Sequence, residues 1–226
     1  MFASSREVGR IPLVAVLGAA GSGKTTFLNR LLALESMQHS VVLLAVTPAA
    51  APSPVEGDVS VNQGTEAGSV ALEHARVLKL PAIELVNDSG CLCCGMNSAL
   101  GDALRDLFLQ ALSRRVPRVD RVLIESRAID PSALRLTVRH APFLGQRYVY
   151  QATITVVDAK KLQTDGLGAA LVALLQQSDC VVLSHADLIS EVALASVTGL
   201  IRVHCPQIKI IRSDFGLEAL VSDTLH

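Results

Sequence analysis

The 226-residue chain has no basic cluster, no long apolar run and only five cysteines, and each shortage excludes a class of protein. Lys and Arg number 20 against 21 Asp and Glu, a balance that argues against nucleic acid as the main partner. No apolar stretch approaches the roughly 20 residues of a membrane-spanning helix, so we expect no membrane partner. Because three of the cysteines crowd together, we expect a cytoplasmic thiol or metal site rather than a disulfide framework.

What the sequence does contain, near its start, is a phosphate-binding pattern. Leu13–Leu17 is an unbroken apolar run, which is typical of a strand buried on both faces of a parallel sheet. It leads into GAAGSGKT, a full match to GxxxxGK[ST], after which helical spacing resumes over Thr26–Leu34. Arg6 and Arg10 before this run imitate a secretion signal. Because the apolar run is the strand of the motif itself, we reject export and predict a cytoplasmic protein.

The motif predicts the roles of individual residues. Small residues let successive backbone N–H groups surround phosphate oxygens, and the following helix adds its positive end. Lys24 would reach the β- and γ-phosphates, and the Thr25 hydroxyl would ligate Mg²⁺. The alternative is a plain glycine turn between a strand and a helix. The residues predicted to hold the nucleotide here are Gly18, Gly21, Ser22, Gly23, Lys24, Thr25 and Thr26.

A second motif, GCLCCG, places three thiols within four residues. It follows a predicted strand at Ala82–Val86 and precedes a predicted helix at Asn97–Arg114. A helix N-terminus lowers the pKa of a thiol and so favours the thiolate that binds metal. Cys91, Cys93 and Cys94 would suit Zn²⁺ or another soft metal such as Cu(I). The alternative is that these cysteines are buried and inert.

The two motifs together resemble those of the CobW-type metallochaperone GTPases, whose mark is GxxGSGKTTLLN followed later by GC[ILV]CC. Here the counterparts are GAAGSGKTTFLN at Gly18–Asn29 and GCLCC at Gly90–Cys94. The resemblance covers about residues 11–222. It implies GTP hydrolysis coupled to binding of a transition metal, usually zinc or cobalt, and its delivery to a client metalloprotein. The implied cofactors are GTP, Mg²⁺ and Zn²⁺ or another soft transition metal.

The segment ESRAIDP, from Glu125 to Pro131, resembles the family's ETSGLADP. Glu125 matches the family glutamate, which the resemblance implies is catalytic together with Lys24 and acts near Mg²⁺ and its water. The segment is one residue shorter, and Ala128 replaces the glycine that gives its N–H to the γ-phosphate. Since alanine tolerates fewer backbone conformations than glycine, we expect slow hydrolysis. Arg127 is either a substitute cation near the γ-phosphate or a solvated side chain.

The segment SDCVVLSHADL, at Ser178–Leu188, resembles the family's ADVILLNKTDL, which carries the base-recognition motif NKxD. Asp187 is retained, and the resemblance implies that it pairs with guanine. Ser184 replaces the asparagine and His185 replaces the lysine, so we expect only a modest preference for guanine. His185 either stacks on the base or is a partly exposed histidine at a strand end.

Alternating apolar strands and helices predict an α/β fold of the P-loop NTPase type, with a mainly parallel central sheet and helices on both faces. We expect a tail at residues 1–10 and one domain over 11–226, without the second, C-terminal domain that family members commonly carry. Thr47–Gly68 is predicted to be a long loop, either a nucleotide-sensing switch or a solvated connection. A helix is predicted at Glu66–Leu80. Further strands are predicted at Val41–Val46, Arg121–Glu125, Thr153–Ala159 and Ile208–Ile211, and further helices at Leu167–Leu175, Ala193–Val203 and Leu217–Val221.

Two other functions stay open at this point. The first is a binding module that holds nucleotide and metal, scarcely turns over and acts by docking to a partner. The altered Ala128 and Ser184–His185 positions favour this alternative. The second is an ATP-using P-loop enzyme such as a small kinase, against which the three thiols and Asp187 argue.

Overall fold

A computed structural model describes residues 9–45, 77–80, 92–127 and 130–225. In these ranges seven strands form one sheet in the order β3-β2-β4-β1-β5-β6-β7, and all neighbouring strands are parallel. The strands are β1 (Ile11–Leu17), β2 (Ser40–Ala45), β3 (Val77–Leu80), β4 (Arg121–Ser126), β5 (Tyr148–Asp158), β6 (Cys180–Ser184) and β7 (Lys209–Arg212). The predicted α/β class and parallel sheet are confirmed.

Helices cover both faces of this sheet, again as predicted. They are α1 (Lys24–Leu32), α2 (Leu92–Leu112), α3 (Pro131–His140), α4 (Pro142–Arg147), α5 (Ala159–Asp165), α6 (Ala169–Leu175), α7 (Glu191–His204) and α8 (Leu217–Thr224). Helices α2 to α7 pack on one face, and α1 and α8 pack on the other. None of the described helices is long and apolar enough to cross a bilayer.

Strand β1 contributes to both cores, which explains its continuous apolar sequence. Leu13 and Leu17 pack with α2, α3 and α4, whereas Val14 and Val16 pack with α1 and α8. These four side chains are at most 1% exposed. Side chains alternate between the two faces of a strand, so a strand covered on both faces cannot alternate apolar with polar residues. The central position of β1 therefore follows from its composition.

The strand register brings four chain segments to one edge of the sheet. Leu17 at the end of β1 lies opposite Ser126 on β4 and Thr155 on β5. Asp158 at the end of β5 lies opposite Ser184 at the end of β6. Because all the strands are parallel, the loops that follow β1, β4, β5 and β6 share the carboxyl edge, where ligands bind in open α/β sheets.

Several boundaries differ from the sequence prediction; strand β5, for example, begins at Tyr148 rather than at Thr153. The helix predicted at Glu66–Leu80 is wrong at its end, since Val77–Leu80 is strand β3 and pairs with β2. Helix α2 begins at Leu92 rather than at Asn97, so Gly95 lies within it. A glycine inside a helix costs only about 1 kcal/mol relative to alanine, and a long helix absorbs that cost. The predicted strand Ala82–Val86 and the loop Thr47–Gly68 lie outside the described residues.

Helices α3, α4 and α5 were not predicted, although α3 carries clear start signals. The Asp130 carboxylate accepts a hydrogen bond from the backbone N–H of Ser132 at 2.9 Å, and Pro131 occupies the first turn. An N-cap aspartate followed by proline is a typical helix start. The signal was missed because both residues also fit the end of the family motif around Glu125.

Candidate functional site: the phosphate loop and its supports

The loop between β1 and α1 needs glycine for two different reasons. At Gly18, φ is 149° and a Cβ would lie 2.4 Å from the backbone oxygen of Val156. At Gly23, φ is 82° and a Cβ would lie 2.9 Å from the Cβ of Ser184. Neither conformation suits an L side chain, and neither space admits one. The backbone of the loop therefore lies in close contact with the ends of β5 and β6.

Lys24 is the first residue of helix α1, and its side chain folds back into this loop. It is only 5% exposed, and its Nζ donates to the backbone oxygens of Gly18 at 3.0 Å and Ala19 at 2.8 Å. Burial lowers the pKa of Lys24, while the negative charge of Glu125 partly opposes that shift. The loop thus encloses a buried cation.

Glu125 lies on β4 directly opposite Val16 of β1, next to the loop. Burial raises the pKa of this carboxyl, and the nearby charges of Lys24 and Arg127 partly counter the increase. Arg127 itself is exposed. The structure therefore brings together Lys24 and Glu125, the two residues predicted to be catalytic.

Several donors around the start of α1 lack partners among the described residues and fit a phosphate group. No side chain in the described ranges caps α1, and the first N–H groups of a helix have no partner within the helix itself. Among the described residues, the buried Ser22 Oγ also has no hydrogen-bond partner. Thr25 is half-buried in the first turn of α1, beside the exposed Thr26. This donor set, with a cation at its centre, suits an anion.

Ser184 ties β6 to the loop. Its buried Oγ donates to the backbone oxygen of Ser22 at 2.7 Å. The next residue, His185, has the left-handed φ of 53°, and its Nδ1 lies 3.1 Å from Oδ2 of Asp158. Asp187 is exposed in a 3₁₀ turn, with no hydrogen bond or ion pair to the described residues. Of the three predicted base-recognition residues, Ser184 contacts the phosphate loop, His185 contacts Asp158, and Asp187 is available to a ligand.

Sequence reasoning missed Asp158 and Lys161 at this edge. The Asp158 carboxylate caps α5 by accepting hydrogen bonds from the N–H groups of Lys160 at 3.0 Å and Lys161 at 3.1 Å. Lys161 lines a cleft of about 190 Å³ together with Ala19 and Ala20 of the loop. The sequence signal for this helix cap was an aspartate at the end of a strand, directly before a helical segment.

The predicted metal site is only partly within the described residues. Cys91 lies outside them, and Cys93 and Cys94 lie in the first turn of α2 rather than before it. No group of three or more His, Cys, Asp or Glu side chains in the described ranges could hold a metal ion. Burial raises the pKa of Cys180 in β6 to about 12, which disfavours its thiolate form at neutral pH. The metal site stays a prediction.

A parallel sheet with a glycine-rich loop at its carboxyl edge, enclosing a lysine, defines a P-loop NTPase fold. Residues 12–212 match the family model described as CobW/HypB/UreG, nucleotide-binding domain. The chain belongs to this family.

Two curated relatives have names that refer to zinc. Zinc-regulated GTPase metalloprotein activator 1 of Schizosaccharomyces pombe is 25% identical over 224 residues, which cover 95% of this chain and 48% of that protein. The zinc chaperone YjiA of Escherichia coli is 31% identical over 150 residues, which cover 66% of this chain and 41% of that protein. The chain thus spans less than half the length of either relative.

Solved structures agree on the fold. Zn(II)-bound YjiA GTPase from E. coli gives a TM-score of 0.56 at 21% identity, covering 89% of this chain and 57% of that one. HypB from Helicobacter pylori in complex with nickel gives a TM-score of 0.51 at 17% identity, covering 95% of this chain and 84% of that one. At these identities the likeness shows the architecture alone.

The environment of Glu125 predicts how stability depends on pH. A carboxyl whose pKa is raised by folding keeps its proton to a higher pH in the native state than in the unfolded chain. Its ionisation therefore destabilises the fold as pH rises from the ordinary value of 4.5 through the raised one. Glu125→Gln removes this ionisation, so the variant should be more stable than wild type at pH 7.5, by a margin that shrinks towards pH 4.5.

Urea unfolding at both pH values measures this difference. Asp187→Asn is the control, because the exposed Asp187 should change stability by no more than about 0.5 kcal/mol. A Glu125→Gln variant less stable than wild type at pH 7.5 would show that attraction to Lys24 outweighs the cost of burial.

Proposed function

We propose that the chain binds Mg·GTP at the phosphate loop, hydrolyses it slowly, and couples this cycle to a transition metal held by Cys91, Cys93 and Cys94. The observation that carries the proposal is the buried Lys24 inside a loop whose neighbouring helix start is uncapped. Membership of a nucleotide-binding family supports it.

Lys24 has a defined task in this scheme. Its ammonium is held by two neutral backbone oxygens, and phosphate oxygens offer stronger, charge-assisted hydrogen bonds. Nucleotide binding would exchange the first set for the second without exposing the cation to bulk water. Mg²⁺, bound with the nucleotide and the Thr25 hydroxyl, would neutralise charge on the β- and γ-phosphates.

Glu125 is the residue suited to orient the attacking water. Its raised pKa makes it a better proton acceptor near neutral pH than an exposed glutamate would be. The hydroxyls and N–H groups of Gly18–Thr26 would supply fixed donors that cost no reorganisation during reaction. We propose slow turnover because Ala128 replaces the expected glycine.

Guanine preference would depend on Asp187 alone. The Ser184 hydroxyl binds the loop and the His185 Nδ1 contacts Asp158, so these two polar atoms are engaged by the protein rather than by the base. The exposed Asp187 carboxylate can accept from guanine N1 and N2, which adenine cannot match. Losing one such hydrogen bond costs about 1–3 kcal/mol, so we propose a preference of roughly tenfold to a hundredfold over ATP.

The metal part of the proposal depends on the start of α2. Cys93 and Cys94 lie in its first turn, where the helix dipole favours thiolate over thiol. Three thiolates leave one tetrahedral position open, which suits a metal that must be released to a client protein. The names of both curated relatives refer to zinc, which supports a soft transition metal here.

A binding module without useful turnover is the second candidate. The observation that favours it is the engagement of Ser184 and His185 by the protein itself, which leaves fewer groups to respond to the nucleotide. Such a module would bind GTP and metal as proposed and would lack turnover.

The first prediction for this function concerns the loop. GTP with Mg²⁺, at about a hundred times its dissociation constant, should stabilise the fold by roughly 2.7 kcal/mol, because it binds only the native state. Lys24→Ala should lose most of that gain, as measured by thermal or urea unfolding with and without nucleotide. Arg202→Ala, which removes an exposed cation near the C-terminal end of α7, is the control and should keep the full gain. Equal stabilisation of wild type and Lys24→Ala would refute the site.

The second prediction concerns the thiols. Zinc titrated into the protein should bind more weakly below neutral pH, because ligand thiols must lose protons. The variant with Cys91, Cys93 and Cys94 all changed to Ser should lose this binding, whereas Cys205→Ser should keep it. Coupling is reciprocal, so if GTP tightens zinc binding, zinc must tighten GTP binding by the same factor.

Zinc binding by the triple variant at wild-type strength would rule out the cysteine site. Identical zinc affinity with and without GTP would leave a metal site but would contradict the coupling.

A further inference from the structure

Lys161 lies beside the phosphate loop on α5, a helix that packs on the face of the sheet opposite α1. A Cβ built on Gly21 would lie 3.5 Å from the Nζ of Lys161, so the ammonium lies against the middle of the loop. The position of Lys161 follows from the Asp158 cap, which binds its backbone N–H and fixes where α5 begins. Its place beside the loop is therefore set by the fold and not by the side chain alone.

The ammonium of Lys161 is exposed and forms no hydrogen bond or ion pair with the residues that the structure describes. The acidic side chains that line the same cleft are Asp158 and Asp165. Asp158 is engaged by the α5 cap and by His185, and Asp165 accepts from the Thr164 hydroxyl at 3.0 Å. The charge of Lys161 is thus available to an anion at the loop.

Two lysines therefore lie at one short segment. The Lys24 Nζ donates to the oxygens of Gly18 and Ala19, and the Lys161 Nζ lies 3.5 Å from the position of a Cβ built on Gly21. The lysine inside a P-loop serves the β- and γ-phosphates. A second ammonium at the same segment would add positive charge at that end of the triphosphate.

We propose that Lys161 is a second phosphate-binding lysine, which donates to terminal phosphate oxygens of the nucleoside triphosphate and distinguishes GTP from GDP. This inference rests on the proposed nucleotide site. Acting in cis, the cation also stabilises charge on the transferring phosphoryl group, the role that arginine fingers have in other P-loop enzymes. It supplies positive charge at a site whose motif after β4 departs from the family pattern.

The test compares Lys161→Met with Lys160→Met, its exposed neighbour on α5, and with Lys161→Arg. Dissociation constants for Mg·GDP and for a slowly hydrolysed Mg·GTP analogue are measured for each, along with the turnover of GTP. Lys161→Met should weaken the GTP analogue about tenfold or more, the loss of one charge-assisted bond, and GDP much less. Lys160→Met should change neither constant, and Lys161→Arg should restore most of the discrimination. Turnover should fall in Lys161→Met even at saturating GTP.

The outcomes separate this inference from the site on which it rests. If the wild type binds both nucleotides and Lys161→Met keeps the wild-type ratio of GTP to GDP affinity, Lys161 has no terminal phosphate contact and the inference is overturned. Equal weakening of both nucleotides overturns it as well. If the wild type binds neither nucleotide, the proposed function fails first and this inference with it.

Discussion

The buried ammonium of Lys24 is the constraint on which the rest of the site depends. A cation that is 5% exposed must be surrounded by acceptors, and here the acceptors are the backbone oxygens of Gly18 and Ala19. Turning these oxygens inward requires a backbone path that only glycine can follow at Gly18 and Gly23. The same path places the uncapped start of α1 at the carboxyl edge of the sheet, beside Glu125. The loop is thus preorganised around one charge.

The neighbouring strands hold this loop in place through side chains at their ends. Ser184 donates to the loop from β6, and Asp158 at the end of β5 joins His185 with one carboxylate oxygen and the start of α5 with the other. Through that cap Asp158 also sets the position of Lys161. The two substitutions in the base-recognition motif therefore have structural partners, which explains how the motif can depart from its family pattern while the loop keeps its shape.

The sequence predicted the parts of the fold that local patterns encode. The strand before the loop, the helix after it and the two covered faces of the sheet all follow from apolar runs and their spacing. Strand β3 was missed, since Val77–Leu80 is short and is a strand because it pairs with β2, which local spacing does not reveal. The contact between Ser184 and Ser22 spans 162 positions, so no local pattern could predict it. Lys161 was overlooked for the same reason, because its importance comes from its distance to Gly21 and not from a motif.

We propose that this edge of the sheet is a guanine-nucleotide site that responds to metal. Steady-state hydrolysis of GTP and ATP, each measured with and without zinc under otherwise identical conditions, tests it most directly. The account predicts slow hydrolysis with GTP favoured over ATP and a rate for GTP that changes when zinc is added. Hydrolysis of ATP at the same or a higher rate than GTP, unaffected by zinc, would contradict it.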